Sequence, residues 1–336
     1  MAGAPIPGLA VGIVSGEDLI YSAGFGVANR ATGQAITDST LFQIGSTTKS
    51  FTATLMGLLR DEGLLSFDDP ASAYLPSDLM GPYRAEVPPV TLRHLATHTA
   101  GIPRQPPTLR RAHGDAPVLA FTHFELYQSI EAAELESAPG ERFSYSNFGY
   151  AILGHALERA ADVPYETLLT QRLLFPLRMR WTTVTLWPRH LERLALPYYP
   201  NPRTGAIEDY TPWDTEALSP AGGVTSSVRD MARFVALHMR SSDDERAPVA
   251  GSTIHELHAP QATLNPTTAY ALGWIVRELE GVGRIVEHGG EVDGYTSYVG
   301  FSPDRRIGVV ILVNAGSAPL GELGDGILKR AVEAAG

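Results

Sequence analysis

The feature that most constrains this chain is where its two kinds of apolar pattern fall. Strand-length runs occupy both ends, and helical stripes fill the middle. Residues 9–14 (Leu-Ala-Val-Gly-Ile-Val) form one run, 16–18 have turn composition, and 19–21 resume the apolar pattern, which predicts a hairpin. Residues 29–33 read as another turn. From about residue 47 the period changes: Phe51, Leu55, Leu58 and Leu59 fall at i, i+4, i+7, i+8. Leu153, Ala156, Leu157 and Ala160 repeat the stripe. So do Val228, Met231, Ala232 and Val235, behind a Ser227…Asp230 pair with capping-box spacing. Pro-rich loops at 103–107 and 197–202 punctuate this middle region. Strand patterns return at 272–276, 284–286, 295–299 and 307–313, and an amphipathic stretch over 323–334 predicts a closing helix. Strands so far apart in sequence bury a common face only if they meet in one layer. The prediction is therefore an α+β fold: an antiparallel sheet built from both chain ends, flanking helices, and an inserted helical subdomain. Residues 1–336 are expected to form one domain, with 1–45 and 222–336 as its α/β part and 46–221 as its mostly helical part.

Composition narrows the chemistry. The chain has 336 residues, enough for a large core. It has no Cys, which excludes a disulfide scaffold, a thiol nucleophile and a thiolate metal site. The formal net charge of −11 argues against nucleic acid and anionic membranes as main partners. No apolar run approaches the roughly 20 residues of a membrane span. No basic region or apolar run precedes Pro7, so no signal peptide is predicted. That fits a cytoplasmic protein, or an exported one whose leader is absent from this chain. Of 26 cationic residues only Lys49 and Lys329 are lysines, and lysine, unlike arginine, can give up its proton.

Three short motifs carry possible chemistry. In Gly45-Ser46-Thr47-Thr48-Lys49, Ser46 stands where the chain enters the first helix and Lys49 lies one turn on, on the same face. A Ser hydroxyl needs a base to become a nucleophile, and a desolvated Lys amine can be one. The helix start adds free N–H groups that favour a developing oxyanion. With 21 Ser and 2 Lys, this spacing arises by chance in roughly one chain in eight, so it equally fits a capped helix with a solvated Lys. Tyr145-Ser146-Asn147 precedes the second helical stripe. A Tyr there can shuttle a proton, and an Asn amide can hold both a Lys and a substrate carbonyl. A packed Tyr and an Asn helix cap fit the pattern as well. His288-Gly289-Gly290 follows the strand pattern at 284–286, and glycine there allows a ligand to approach a strand edge closely or simply makes a turn.

Taken in order, Ser46-x-x-Lys49, Tyr145-x-Asn147 and His288-x-Gly290 resemble the penicillin-recognising serine hydrolases. These include class C β-lactamases, D-Ala-D-Ala carboxypeptidases, D-aminopeptidases and family VIII carboxylesterases. The stretches 95–103, 139–140 and 220–224 look like that family too, so the resemblance spans nearly the whole chain. It implies a β-lactamase-like fold and Ser46 as the nucleophile of an acyl-enzyme. Lys49 and Tyr145 would share the acid–base work, and Asn147 would orient Lys49 and substrate. The backbone N–H groups of Ser46 and Glu291 would form the oxyanion hole. His288 stands where typical β-lactamases have Lys, which weakens the case for efficient β-lactam hydrolysis. The resemblance implies no cofactor and a small-molecule ester or amide as substrate. The expectation is a carboxylesterase on small or medium acyl esters. The alternatives are a D-Ala-D-Ala-type carboxypeptidase, a D-aminopeptidase or weak β-lactamase, or a slowly deacylating penicillin-binding sensor or scaffold.

Other patterns in the chain point elsewhere but are incomplete. No G-x-S-x-G elbow occurs, which disfavours an α/β-hydrolase. His94 and His98 are at i, i+4, but residue 95 is Leu where a zinc hydrolase helix needs Glu. His255 and His258 have no third ligand in view, so no metal is expected. Tyr198, Tyr199, Tyr210 and Trp213 could line an acyl pocket or pack under loops. Arg277 and Arg284 could meet a substrate carboxylate or lie on a solvated strand face.

Overall fold

The most apolar segment of the chain sets the centre of the fold. Residues 307–313 are buried throughout, an uninterrupted run that marks a strand covered on both faces. The computed structural model describes residues 6–77, 79, 89–109, 121–200, 207–209, 212, 216–240 and 247–335. Strands β1 (Gly8–Ser15) and β2 (Asp18–Asn29) make the expected N-terminal hairpin, with the short β3 (Gln34–Ala35) beyond β2. Two ribbons lie outside the main sheet: β4 (Phe42–Gln43) pairs with β7 (Thr225–Ser226), and β5 (Tyr198–Pro200) with β6 (Ile207–Asp209). The C-terminal part supplies β8 (Ala262–Asn265), β9 (Thr268–Tyr270), β10 (Ile275–Leu279), β11 (Gly283–Val292), β12 (Tyr295–Ser302) and β13 (Ile307–Val313). The nine-stranded sheet runs β3-β2-β1-β13-β12-β11-β10-β9-β8. The antiparallel pair β1–β13, Leu9 opposite Val313, lies inside this sheet and joins its two halves, so the two chain ends do meet in one layer.

Side chains of β13 alternate between two cores, as the period of a strand demands. Val309, Ile311 and Val313 pack with Leu320, Leu328 and Val332 of the closing helix, Leu320–Ala335. Val310 and Leu312 join the larger core, which continues into the helices on the opposite face. There the Val228–His238 helix crosses β1 and β13, and the Thr48–Asp61 helix lies against it, the rings of Phe51 and Phe234 stacked 3.8 Å apart. Phe51, Leu55, Leu58 and Leu59 are all buried, each contributing about 1.5–3 kcal/mol of hydrophobic stabilisation. The Asn147–Ala161 helix packs on the same helix from the other side. Ser227 caps the Val228–His238 helix by accepting from Asp230 N–H, but the reciprocal half of the capping box is absent. The Asp230 carboxylate instead accepts from Trp181 N–H and from the Thr182 N–H and hydroxyl, tying in the 181–182 loop.

Among the described residues no helix is long and apolar enough to cross a membrane.

Candidate active site

A tight turn delivers the first motif. Residues Gly45–Thr47 form a 3₁₀ turn that runs straight into the Thr48–Asp61 helix, so Ser46 sits at the helix entrance. The turn presses against β11. Gly45 has φ +51°, and a Cβ there would lie 2.8 Å from the N, C and O atoms of Glu291. A Cβ on Gly290 would lie 1.9 Å from the Ile44 carbonyl oxygen. These two glycines let two backbones touch. A hydroxyl clamp fixes the contact: Ser297, opposite Gly290 on β12, donates to Ile44 O at 2.7 Å and accepts from Thr47 Oγ1 at 2.9 Å. The main chains of Ser46 and Glu291, which the resemblance assigns to the oxyanion hole, therefore stand on touching segments. The Glu291 carboxylate turns away and accepts from the N–H and hydroxyl of Ser317.

Lys49 is fully buried. Its Nζ lies 2.6 Å from Ala221 O, 2.8 Å from Asn147 Oδ1 and 3.2 Å from Ser46 Oγ. Burial, with a smaller push from the Arg104 charge, holds the amine well below its ordinary value. The 220–224 segment is held on this helix by three bonds: Thr52 Oγ1 donates to Pro220 O, Lys49 to Ala221 O, and Val224 N–H donates to Thr48 Oγ1.

Asn147 reaches Lys49 because it is not the helix cap. Ser146 takes that task, its Oγ accepting from Gly149 N–H at 2.9 Å, which leaves the Asn147 amide free. Tyr145 hydrogen-bonds Ser46, and its ring faces Lys49 Nζ at 4.9 Å. Burial pushes its phenol up to about 12, against the opposing pull of Ser46 and Arg104. His98 positions this loop: its carbonyl accepts from Ser144 N–H at 2.7 Å, and its Nδ1 from Ser146 N–H at 3.0 Å.

His288 lies within β11, not in a turn after it. Its ring closes a buried chain whose tautomers are fixed by the partners. With Nδ1 accepting, neutral His98 carries its proton on Nε2 and donates to the Tyr270 hydroxyl at 3.2 Å. That hydroxyl donates to His288 Nε2 at 3.1 Å, and His288 Nδ1–H is spent on Gly289 O at 2.6 Å. Burial, then the Lys49 charge, lowers His288 to about 3. The third motif thus presents a neutral ring to the site.

The motifs that sequence brought forward converge on one cleft, and comparison with known proteins agrees with what they resemble. A family model described as Beta-lactamase matches residues 1–332. The chain belongs to that family, one of serine hydrolases. It is 28% identical over 324 residues to the D-alanyl-D-alanine-carboxypeptidase/endopeptidase AmpH of Escherichia coli K12, covering 93% of this chain and 80% of AmpH. It is 27% identical to Protein flp of Staphylococcus aureus MW2, where 93% of this chain spans only 60% of flp. Among solved structures, an octameric penicillin-binding protein homologue from Pyrococcus abyssi superposes with a TM-score of 0.85 at 29% identity, covering 98% of this chain and 74% of that one. A β-lactamase/D-alanine carboxypeptidase from Yersinia pestis, complexed with citrate, gives 0.81 at 26% identity, covering 98% and 93%.

This member of the Beta-lactamase family has an open cleft of about 940 Å³ at Ser46. Phe143, Leu218, Leu264, Ile275, Val292 and Leu320 supply apolar wall; Arg104 stands at the rim, 4.9 Å from the Tyr145 ring. Arg104 O accepts from Asn147 N–H, so the helix start anchors it. Sequence reasoning passed over Arg104, one of 24 arginines, and Ala221, whose contribution is a backbone carbonyl. Tyr270 was also passed over, and His98 was singled out only as a metal candidate. Arg277 is spent on Glu287 and Asp325, Arg284 donates to His258 O, and neither lines the cleft. His94 Nδ1 accepts from Thr91 N–H while His98 serves Ser146 and Tyr270, so that pair does not converge. His258 faces His238 rather than His255. Tyr199 lines the cleft, Tyr198 is buried with its hydroxyl accepting from Arg30 N–H, and Tyr210 and Trp213 lie outside the described residues.

Proposed function

We propose that this chain hydrolyses its substrates through an acyl-enzyme on Ser46, with Lys49 as the first base and Tyr145 as the acid. The hydrogen-bond count at Lys49 Nζ carries this reading. A neutral amine has two N–H bonds and one lone pair. Ala221 O and Asn147 Oδ1 can only accept, and they are its two nearest partners, so they take the two hydrogens. The lone pair is left for the Ser46 hydroxyl. Ser46 Oγ then attacks the substrate carbonyl carbon as its proton passes to Lys49. The N–H groups of Ser46 and Glu291 receive the oxyanion. Collapse of the tetrahedral adduct breaks the bond to the leaving amine or alkoxide, which takes the Tyr145 phenol proton; Lys49 returns a proton to Tyr145. Water repeats the steps in reverse order to free the acid and Ser46. A phenol held near 12 stays protonated at neutral pH, as a donor must.

The substrate class in this reading is an acyl donor whose leaving part ends in a free carboxylate, as in peptides ending in D-alanine. With His288 neutral, Arg104 supplies the positive charge at the cleft, and that charge reaches Lys49 and Tyr145. The likeness to AmpH supports the same class. The apolar wall favours a second reading, a carboxylesterase for small or medium acyl chains.

One turnover panel separates them: a peptide ending in D-Ala-D-Ala, its C-terminal amide, and a p-nitrophenyl ester series. The enzymes are wild type, Arg104→Gln, and Ser46→Ala as baseline. The expected result is that kcat/KM for the free-carboxylate peptide falls about tenfold in Arg104→Gln while its amide and the neutral esters change little, since a charge-assisted contact is worth about 1.5–3 kcal/mol before solvent screening. Ester turnover indifferent to Arg104, with no peptide cleavage, selects the esterase. Turnover by a folded Ser46→Ala protein overturns the nucleophile.

A further inference from the structure

A second cluster of reactive side chains lies away from the cleft, between the helices His123–Ala132 and Asn147–Ala161. His123 Nε2 is 2.8 Å and His155 Nδ1 3.1 Å from the same oxygen of Glu158. All three ligand atoms lie within 4.8 Å of one another. We propose that His123, His155 and Glu158 bind a zinc ion that clamps these two helices together.

The donor set suits zinc: two imidazole nitrogens and one carboxylate oxygen, with no thiolate for softer ions and too few oxygens for calcium or magnesium. Tetrahedral zinc with bonds near 2.0–2.1 Å places its ligands about 3.3 Å apart. The two nitrogen–oxygen spacings need to open by only a few tenths of an ångström, and the two imidazole nitrogens, within 4.8 Å of each other, settle to the same spacing around the ion. His123 can supply that movement, because it stands at a helix start with its side chain half exposed. The other two ligands are already oriented from behind. His155 is buried, and its second nitrogen, Nε2, meets the Tyr127 hydroxyl at 2.9 Å. The second oxygen of Glu158 accepts from Tyr165 N–H at 2.8 Å. Outer partners of this kind hold a ligating histidine in one tautomer and a carboxylate in one rotamer. The open side at His123 leaves a fourth position to water.

Charges around the cluster mostly favour a cation. Glu216 adds negative potential at His123, and Arg159 opposes it near Tyr127. Asn147 begins the helix that carries His155 and Glu158. Eight residues separate it from His155, about 12 Å along the axis, so the ion would stiffen the helix behind the cleft without touching the reacting atoms.

The test uses the full chain, stripped with chelator and titrated with zinc by calorimetry and with cobalt by visible absorption. The expected result is one ion per chain, the strong absorption of four-coordinate cobalt, and a Tm raised by several degrees in excess zinc. His123→Ala, at the exposed end of its helix, should fold normally and bind at least tenfold more weakly; His155→Gln should lose the cobalt signature. No binding by wild type, equal binding by both variants, or only the weak absorption of six-coordinate cobalt would overturn the proposal. None of these outcomes depends on the reaction at Ser46.

Discussion

A lysine with no solvent exposure and no carboxylate among its bonded partners is an expensive residue to keep, since burial disfavours its charge. Its value at position 49 lies in being able to lose that charge. Arg keeps a positive charge at any working pH and carries a larger, planar head. Lys49→Arg is therefore expected to be nearly as damaging as Lys49→Ala, each lowering kcat/KM by about 10²–10⁴. The lowered Lys49 value fixes the sign of the pH effect. Wild-type kcat/KM should rise with pH as the Lys49–Tyr145 pair gives up its first proton, and that limb belongs to the pair as a unit. It should reach its plateau well below the ordinary lysine range, and both variants should lack it. Near-wild-type rates in Lys49→Arg would reduce the amine to an electrostatic bystander and leave the base role to Tyr145.

Among the elements, β11 and the 3₁₀ turn explain why two adjacent glycines differ. A Cβ at Gly290 meets the Ile44 carbonyl at 1.9 Å, whereas one at Gly289 meets nothing nearer than 3.7 Å. Gly290→Ala must push the turn that carries Ser46 off the strand. Overpacking of this kind costs about 1–3 kcal/mol or more and should cut acylation by at least tenfold. Gly289→Ala should change stability by less than about 1 kcal/mol. Urea melts and single-turnover acylation of both variants check this, and equal behaviour of the two would refute the turn-on-strand account. The same elements show what was legible beforehand. Ser46, Lys49, Tyr145 and Asn147 were readable because spacing on a helix or turn fixes which side chains share a side. The hairpin and β13 were readable from their apolar runs, and β12 from its aromatic and β-branched residues. β8 and β9 were not: they are short strands at one end of the sheet, Thr- and Asn-bearing and partly exposed, with no apolar run to announce them. The glycine pair hid the continuation of β11 because glycine reads as a break, whereas here a neighbouring backbone requires it. Ala221 left no trace because any residue type supplies a carbonyl.

At the scale of the whole molecule, the buried histidines tie the site and the core to one pH response. His98 and His288 flank Tyr270 behind the cleft. His238 and His258 lie 3.0 Å apart, nitrogen to nitrogen, under Trp274, with the Thr54 hydroxyl on the other side of His238. Burial is the leading cause that lowers all four, and it takes His238 and His288 to about 3. In the unfolded chain these groups return to about 6.5. The sign follows. Between pH 6.5 and 3 the unfolded state binds protons that the folded state refuses, so stability is complete above about 6.5 and drains away as pH falls toward 3. Each such histidine contributes a slope of about 1.4 kcal/mol per pH unit across that window. For His238 and His288 together the slope is about 2.8 kcal/mol per pH unit, enough to unfold a marginally stable domain within a few units. Chemical melts in chelator at half-unit steps from pH 7.5 to 4, with the imidazole protons followed by NMR, measure both sides of the linkage. A flat stability profile over that range, or buried imidazoles that titrate near 6.5 in the native state, would show that these rings take protons without unfolding the molecule. The neutral, tautomer-locked chain behind Ser46 would then not exist as described.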